Sequence, residues 1–229
     1  MWKKSFVMAT ALALGVNGQA VWAADPSHPT VVELYQSQGC SSCPPADLVL
    51  NALADRADVL ALSFAVTYWD QLGWKDTFAQ PAFTRRQWEY AKAGGRGEVA
   101  TPQMIVNGRG VLVGNRRPDV DAAIARYDRG PSGPTITLDG GAATVGAGRG
   151  SATLWLVRFD PRTIAVPIRA VENGGRTIPH RDIVRSLVAL GHWNGRSSRF
   201  ILPSAPSGLA GALLLQEGTG GPIVASRRL

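Results

Sequence analysis

The sequence predicts an α/β first half followed by a mainly β second half. Up to Asp128, segments with the pattern of strands alternate with segments that have the pattern of helices. Residues 129–134 consist largely of turn-forming residues and predict a linker. The short β-favouring runs that follow are typical of a sandwich or a barrel. We therefore expect domains at residues 25–130 and 131–229, after a leader at residues 1–24.

The predicted leader has the pattern of a cleaved secretory signal peptide. Lys3 and Lys4 provide a basic start, an apolar run extends from Ser5 to about Val16, and the expected cleavage site follows Ala23 or the next residue. The apolar run is shorter than the ~20 residues that a bilayer-spanning helix needs, which argues against a membrane anchor. We expect export, with no stable membrane insertion after cleavage.

The charge of the chain gives little information about its partners. The 229 residues include 24 Lys and Arg and 17 Asp and Glu, a formal charge of +7 that falls to +5 when the two leader lysines are removed. The basic residues are spread along the chain and lack the interleaved aromatic residues of single-strand binders. We expect no nucleic-acid partner and no cofactor.

The first half of the mature chain predicts a β-α-β unit around two cysteines. A β-rich run at Val31–Tyr35 is followed by Cys40 and Cys43, and Pro44 then opens a helical pattern. Val59–Val66 is a continuous apolar run, as expected of a strand buried on both faces. Because a residue before proline avoids the helical region, we expect the helix to begin at Pro44, with Cys43 near its cap.

A C-x-x-C pair at a strand-to-helix junction is typical of a redox-active site. The positive end of the helix dipole stabilises a thiolate, so Cys40 is the expected nucleophile and Cys43 the expected resolving residue. The alternatives are a structural bridge, which would contribute only ~2 kcal/mol for so short a loop, and a metal site. No further ligand is near in sequence, because His28, His180 and His192 lie far from the pair. The last two histidines are interpreted as polar residues of loops.

The aromatic-rich segment between Tyr68 and Tyr90 predicts a helical insertion between the second and third strands. Thr84–Ala93 has the pattern of a helix within it. We expect its aromatic side chains to pack on the core. A cover beside the cysteines that receives a peptide substrate is the alternative.

The remainder of the first half predicts a hairpin and a last helix. Thr101 and Pro102 directly precede a strand that ends at Val106, and Asn107-Gly108 is a hairpin turn signal. Arg117–Ile124 then has the pattern of a helix. No metal-ligand spacing occurs along this segment.

The second half predicts strands only. His180–Leu190 fits a helix face as well as a strand, and its β-rich context favours a strand. The other predicted strands are Thr135–Leu138, Ala143–Val145, Ala152–Phe159, Thr163–Ile168, Arg199–Leu202, Ala210–Gln216 and Pro222–Ala225.

The stretch Val32–Asp47 resembles the secreted family catalogued as domain of unknown function 1223. The order strand, C-x-x-C, helix, strand, insertion, Thr-Pro, hairpin and helix is similar to the thioredoxin fold. In thioredoxin-like proteins a cis-proline before the third strand faces the cysteine pair, and Pro102 matches that proline. The resemblance implies a thioredoxin-like domain over residues 25–130, a periplasmic location, and a role for Thr101 and Pro102 in holding a substrate chain.

The resemblance and the cysteine pair together predict a periplasmic thiol-disulfide oxidoreductase. Its partners would be protein or peptide thiols and disulfides, and a membrane-bound redox partner is a further candidate. The alternative is a non-catalytic secreted binding or adaptor protein with a structural disulfide. Where thioredoxin has a buried proton-relay aspartate, this chain has Leu34. The neighbouring Glu33 points to the other sheet face, so we expect a structural role for it.

Overall fold

The computed structural model describes residues 24–229, so the predicted signal peptide lies outside the described residues except for Ala24. The described residues form three α-helices, thirteen strands and two short 3-10 turns. The helices are α1 (Pro44–Leu53), α2 (Pro81–Ala93) and α3 (Arg117–Tyr127), and the 3-10 turns are Asp70–Leu72 and Val171–Asn173. The strands are β1 (Thr30–Gln36), β2 (Val59–Ala65), β3 (Gln103–Val106), β4 (Gly110–Leu112), β5 (Ile136–Asp139), β6 (Ala142–Val145), β7 (Ala152–Asp160), β8 (Ile164–Pro167), β9 (Thr177–His180), β10 (Ile183–Trp193), β11 (Ser198–Ile201), β12 (Ala210–Glu217) and β13 (Ile223–Arg228).

A mixed eight-stranded sheet organises the described chain, in the order β13-β12-β7-β10-β2-β1-β3-β4. β1 and β2 are parallel, and β3 and β4 continue the sheet in antiparallel pairing. Every residue of β2 is buried, as the continuous apolar run predicts, because its side chains alternate between the apolar clusters on the two faces of the sheet.

The helices cover both faces of the sheet. Alternate residues of β1 point to opposite faces: Val32 and Leu34 pack with α1 and α3, whereas Val31 and Tyr35 pack on the side of α2. The two prolines at the start of α1 suit the first helical turn, where an N–H group would lack an intrahelical partner in any case. This packing fixes the N-terminal end of α1 at the carboxyl end of β1, which is where the two cysteines lie.

The prediction of a mainly β second half is confirmed, and its strands lie within a few residues of the predicted bounds. β7, β10, β12 and β13 nevertheless extend the sheet of the first half instead of forming a sheet of their own. A smaller sheet of β11, β6 and β5 shares an apolar cluster with them around the buried Trp193, and β8 and β9 form a separate two-stranded sheet. The division at residue 130 stays a prediction.

The ambiguous segment from His180 to Leu190 lies in strands, as the context favours, except for a turn at residues 181–182. His180 ends β9, and Ile183 begins β10, which pairs along its length with β7. Across the described residues, no helix has both the length and the apolar character needed to cross a membrane.

Candidate functional site

The two cysteines form a disulfide at the junction of β1 and α1. The Cα atoms of Cys40 and Cys43 are 5.4 Å apart, and the Cys43 N–H donates to the Cys40 carbonyl at 3.2 Å. α1 begins at Pro44 with Cys43 as its N-cap, as predicted. The backbone of Cys43 is nevertheless in the right-handed helical region (φ −78°, ψ −35°) that a residue before proline usually avoids, and its carbonyl accepts the N–H groups of Ala46 and Asp47.

The structure brings the predicted Thr101 and Pro102 to the cysteine pair. The peptide bond between them is cis, and the buried Pro102 directly precedes β3. Ser42 links the two segments, because its Oγ lies 3.3 Å from Cys40 Sγ and donates to the Thr101 carbonyl at 3.5 Å. The cysteine pair and the Thr101-Pro102 segment are about sixty positions apart in the sequence, and the structure brings the two segments into contact.

Aromatic residues of the insertion hold this site from the side. Trp69 Nε1 donates to Thr101 Oγ1 at 2.8 Å, and Trp74 Nε1 donates to Gln38 Oε1 at 2.9 Å in the loop before Cys40. The packing interpretation is confirmed for Phe83 and Tyr90, which are buried in the core. The insertion therefore supplies both core packing and contacts to the cysteine loop.

A turn from the second half covers the disulfide. The Glu172 carboxylate accepts the Ser41 N–H at 3.0 Å and the Ser41 hydroxyl at 2.7 Å. The Asn173 side-chain amide donates to the carbonyls of Gln38 at 2.9 Å and Cys40 at 2.8 Å. Both cysteines are fully buried, although Ser41 and Ser42 between them are exposed. We call the Val171–Asn173 segment the covering turn.

The covering turn has an unusual backbone and a charge that its contacts stabilise. Val171 has a φ of 58°, in the left-handed region that a β-branched residue rarely adopts. The hydrogen bonds from the Ser41 backbone and then the Ser41 hydroxyl lower the pKa of Glu172, because they favour its carboxylate. The turn is thus held against the cysteine loop most firmly when Glu172 is ionised.

A buried carboxyl and a buried imidazole lie behind the disulfide. His180 Nδ1 is 3.3 Å from Asp47 Oδ1, and both side chains are buried. This position corrects the interpretation of His180 as a loop residue, since it ends β9 and contacts α1. His192 also lies in a strand, β10, where it is exposed. Of the two, His180 is the one that contacts a residue of the helix that begins after Cys43.

Glu33 has the structural role that its predicted direction implies. It points away from α1 and forms a fully buried ion pair with Arg86 of α2, with Oε1 2.8 Å from Nε. Arg86 also donates to Gln216 Oε1 and to the Tyr90 hydroxyl. The group joins the two halves of the chain on the sheet face opposite the α1 side.

Four residues of this site were not predicted from the sequence: Glu172, Asn173, Asp47 and His180. The first two come from a glycine-rich turn about 130 positions beyond the cysteines, and only the fold places them there. The signal for Asp47 was present, because it follows Cys43 by four residues and shares its helix face. Within residues 24–229, no cluster of three or more His, Cys, Asp or Glu side chains is arranged to hold a metal ion.

The fold and the site define an α/β protein with a disulfide between the C-x-x-C cysteines at the start of a helix, linked through Ser42 to the Thr101 carbonyl. The chain belongs to the family described as "Protein of unknown function (DUF1223)", which matches residues 31–214. No curated protein matches the chain at a significant level.

Two solved structures are similar to this chain. Protein AGR_C_4864 from Agrobacterium tumefaciens is 31% identical, with a TM-score of 0.76 over 89% of this chain and 94% of that protein. HBP35 of Porphyromonas gingivalis is 12% identical, with a TM-score of 0.57 over 89% of this chain and 75% of that one, a likeness of fold alone.

Proposed function

We propose that the protein is a thioredoxin-like thiol-disulfide oxidoreductase that acts on protein or peptide thiols and disulfides after export to the periplasm. The observation that carries the proposal is the disulfide between Cys40 and Cys43 at the start of α1, in contact through Ser42 with the loop of Thr101 and Pro102. In this position the positive end of the helix dipole stabilises the thiolate of Cys40, and the neighbouring loop offers a surface against which a substrate chain can lie.

The arrangement of the first half supports a thioredoxin-like fold. Parallel β1 and β2 and the antiparallel hairpin of β3 and β4 lie side by side, with helices on both faces. The N-terminal pattern of a signal peptide supports export, and oxidising compartments outside the cytosol are where such pairs exchange with substrate disulfides.

In the proposed reaction the Cys40 thiolate attacks a substrate disulfide and Cys43 then resolves the mixed disulfide. Pro44 and Pro45 have no N–H group, and the N–H groups of Ala46 and Asp47 bond to the Cys43 carbonyl. Once the pair is reduced, the Ser42 hydroxyl can turn from the Thr101 carbonyl and donate its one proton to the Cys40 thiolate, in addition to the effect of the helix dipole. Thr101 and Pro102 are the proposed contacts for the substrate chain.

One observation favours a second candidate, a non-catalytic binding or adaptor protein with a structural disulfide. Both cysteines are buried, and the covering turn bonds to the loop that contains Cys40. An oxidoreductase needs this turn to move before a substrate sulfur can reach Cys40, whereas a structural bridge needs no access.

The reduction potential separates the two candidates. The potential is measured by equilibration of the wild type with a thiol-disulfide redox buffer. An insulin-reduction assay then compares the activity of the wild type with that of Cys40→Ser and Cys43→Ser. We expect a potential above about −300 mV and activity that both substitutions abolish. A potential well below that value, together with no activity in the wild type, would support the structural bridge instead.

A further inference from the structure

A buried carboxyl–imidazole pair lies one helical turn behind Cys43. The Asp47 N–H donates to the Cys43 carbonyl at 3.0 Å, so the two residues stand in the i, i+4 relation of a helix although Cys43 is only its cap. Cβ atoms so related are about 5–6 Å apart on one helix face. His180 reaches the same place from β9, with Nδ1 3.3 Å from Asp47 Oδ1.

The second atom of each group has no protein partner. Asp47 Oδ2 and His180 Nε2 are both buried without a hydrogen bond to any described residue, and so is Gln36 Oε1 of β1 on the same sheet face. Buried polar atoms without partners are costly and uncommon in folded proteins. Asp47 Oδ2 and His180 Nε2 are thus a buried acceptor and a buried ring nitrogen without partners, close in the fold to a cysteine pair. This combination points to proton transfer.

Few other charges face the pair. Asp76 acts on His180 through space, but its own oxygens accept the N–H groups of Gln38 and Phe78. The Phe78 ring lies edge-on to the imidazole, 6.0 Å between ring centres, and Arg185 stacks on Phe78. Among the described residues, Asp76 is thus the further charged group that acts on His180, and its own oxygens are already held by two backbone N–H groups.

We propose that Asp47 accepts the proton of the Cys43 thiol at Oδ2, and that His180 is the positioning residue that holds its Oδ1. The inference rests on the proposed function, since it concerns the step in which Cys43 resolves a mixed disulfide. It assigns a proton acceptor to a chain that has Leu34 on β1 instead of a buried acid there.

The proposed step balances in atoms and electrons. The Cys43 thiol gives its proton to Asp47, and the resulting thiolate attacks Cys40 Sγ. The Cys40–Cys43 bond forms while the bond between Cys40 and the substrate sulfur breaks, and the electron pair leaves on that sulfur, which takes up a proton. The cysteine pair is oxidised by two electrons and the substrate disulfide is reduced by two. In the opposite direction, Asp47 returns the proton to Cys43.

The protonation equilibria of the pair suit this exchange. Burial raises the pKa of Asp47, against the opposing effect of His180, so the carboxyl binds a proton more readily than an exposed aspartate does. Burial opposes the charge of His180, but the Asp47 charge, its hydrogen bond and Asp76 together raise the imidazole pKa. A carboxyl that binds protons more readily is closer to a thiol in proton affinity, which favours transfer in both directions.

The test separates the two thiol steps. Reduced protein is mixed in stopped flow with a stoichiometric amount of 5,5′-dithiobis(2-nitrobenzoate), whose coloured thiolate is released once when Cys40 attacks and again when Cys43 resolves. The second phase is intramolecular and is absent in Cys43→Ser. We expect Asp47→Asn to slow this phase at pH 7 roughly 10- to 100-fold, while the first phase stays within about twofold of the wild type.

The pH profile distinguishes proton transfer from a structural role. In Asp47→Asn the rate of the second phase should recover as the pH rises, because the Cys43 thiol then ionises without help. The midpoint pH of this phase should thus move upward in Asp47→Asn, and by a smaller amount in His180→Gln. Asp55→Asn is the matched control, because Asp55 is an exposed aspartate just beyond α1 that pairs with Arg181. It should leave both phases unchanged.

Each outcome decides one of the two proposals. A second phase that is unchanged in Asp47→Asn and His180→Gln, or slowed equally at every pH, overturns the proton transfer and leaves the oxidoreductase standing. A wild type that releases no first equivalent overturns the proposed function, and the inference with it. If circular dichroism shows that Asp47→Asn does not fold, His180→Gln decides the question by its pH midpoint.

Discussion

Ser42 is the residue on which the reactivity of Cys40 depends most directly. Its hydroxyl is 3.3 Å from the sulfur, and the two prolines that follow Cys43 remove backbone donors that a helix start would otherwise offer. A hydrogen bond to a charged group contributes about 1.5–3 kcal/mol. A partly exposed hydroxyl will lie at the low end of that range, which corresponds to roughly a tenfold effect on the thiolate population.

We therefore predict that Ser42→Ala slows alkylation of reduced Cys40 about 5- to 10-fold at neutral pH. The measurement is the iodoacetamide rate as a function of pH in a Cys43→Ser background, which leaves one thiol. Ser207→Ala is the control, because Ser207 is an exposed serine in the loop between β11 and β12. Equal rates in Ser42→Ala and its parent would show that the dipole alone activates Cys40.

Glu33 and Arg86 form a buried ion pair whose effect is on stability. Removal of one partner leaves a buried charge uncompensated, which costs about 3–5 kcal/mol in comparable pairs. We predict a loss of this size for Glu33→Gln in urea denaturation, with the redox rates of the folded variant unchanged, because the pair faces away from α1. The exposed Glu98 offers the matched control Glu98→Gln, for which a loss beyond about 0.5 kcal/mol would be unexpected.

At the scale of elements, the covering turn is the segment that we expect to control access to the disulfide. Asn173 is buried and makes two hydrogen bonds to the cysteine loop, whereas Glu172 is exposed and makes two to Ser41. Local opening of such a segment exposes what lies beneath it without unfolding the rest. Contacts of the turn should therefore set the rate at which a reductant reaches the sulfurs.

We predict that Asn173→Ala speeds reduction of the disulfide by about tenfold or more, because two buried hydrogen bonds are lost. Glu172→Gln should speed it only about two- to fivefold, since its contacts are exposed to water. The measurement is the rate of thiol appearance with excess dithiothreitol. Glu217→Gln, far from the turn, is the control. Rates that are the same in all four proteins would mean that the turn does not limit access.

The same contacts predict a pH dependence with a definite sign. The pKa of Glu172 is lowered in the folded protein below its usual value of 4.5, so the stabilisation that its carboxylate provides is complete above pH 4.5 and is lost as the pH falls through the lowered pKa. A phosphine reductant that works in acid should therefore show faster reduction of the wild type in that window. Glu172→Gln should show no such increase.

The sequence predicted the elements of this site better than it predicted their assembly. β1, the start of α1 at Pro44 and the strand after Pro102 follow from local patterns, and the structure has all three. The covering turn could not be predicted, because nothing in a glycine-rich stretch specifies which distant loop it contacts. His180 was placed in a loop for a related reason: a histidine on a short strand has the same local pattern whether it faces water or a buried aspartate.

At the scale of the whole molecule, the predicted domains are joined by strand pairing, by a buried side-chain hydrogen bond and by a shared apolar cluster, in addition to the contacts of the covering turn and of His180. β10 pairs with β2, where Ser63 N–H donates to the Asp182 carbonyl. Arg86 of the first half donates to Gln216 of β12. One apolar cluster also contains residues from both halves, among them Phe64, Phe83, Val157, Phe159, Val184 and Leu214. Independent domains share few contacts. The predicted boundary at residue 130 instead divides the strands of one sheet and the residues of one apolar cluster.

The shared sheet and core predict that the mature chain unfolds in a single cooperative transition. A fragment of residues 25–130 loses the β10 partner of β2 and part of its apolar cluster, and it should be unfolded or aggregated by circular dichroism. In the full chain, Phe159→Ala should reduce stability by about 3–5 kcal/mol. Hydrogen exchange should show the same reduction for amides of β1 as for those of β12, because one unit unfolds. A folded fragment, or unchanged protection in β1, would instead establish two domains that only touch, and the covering turn would then act across an interface.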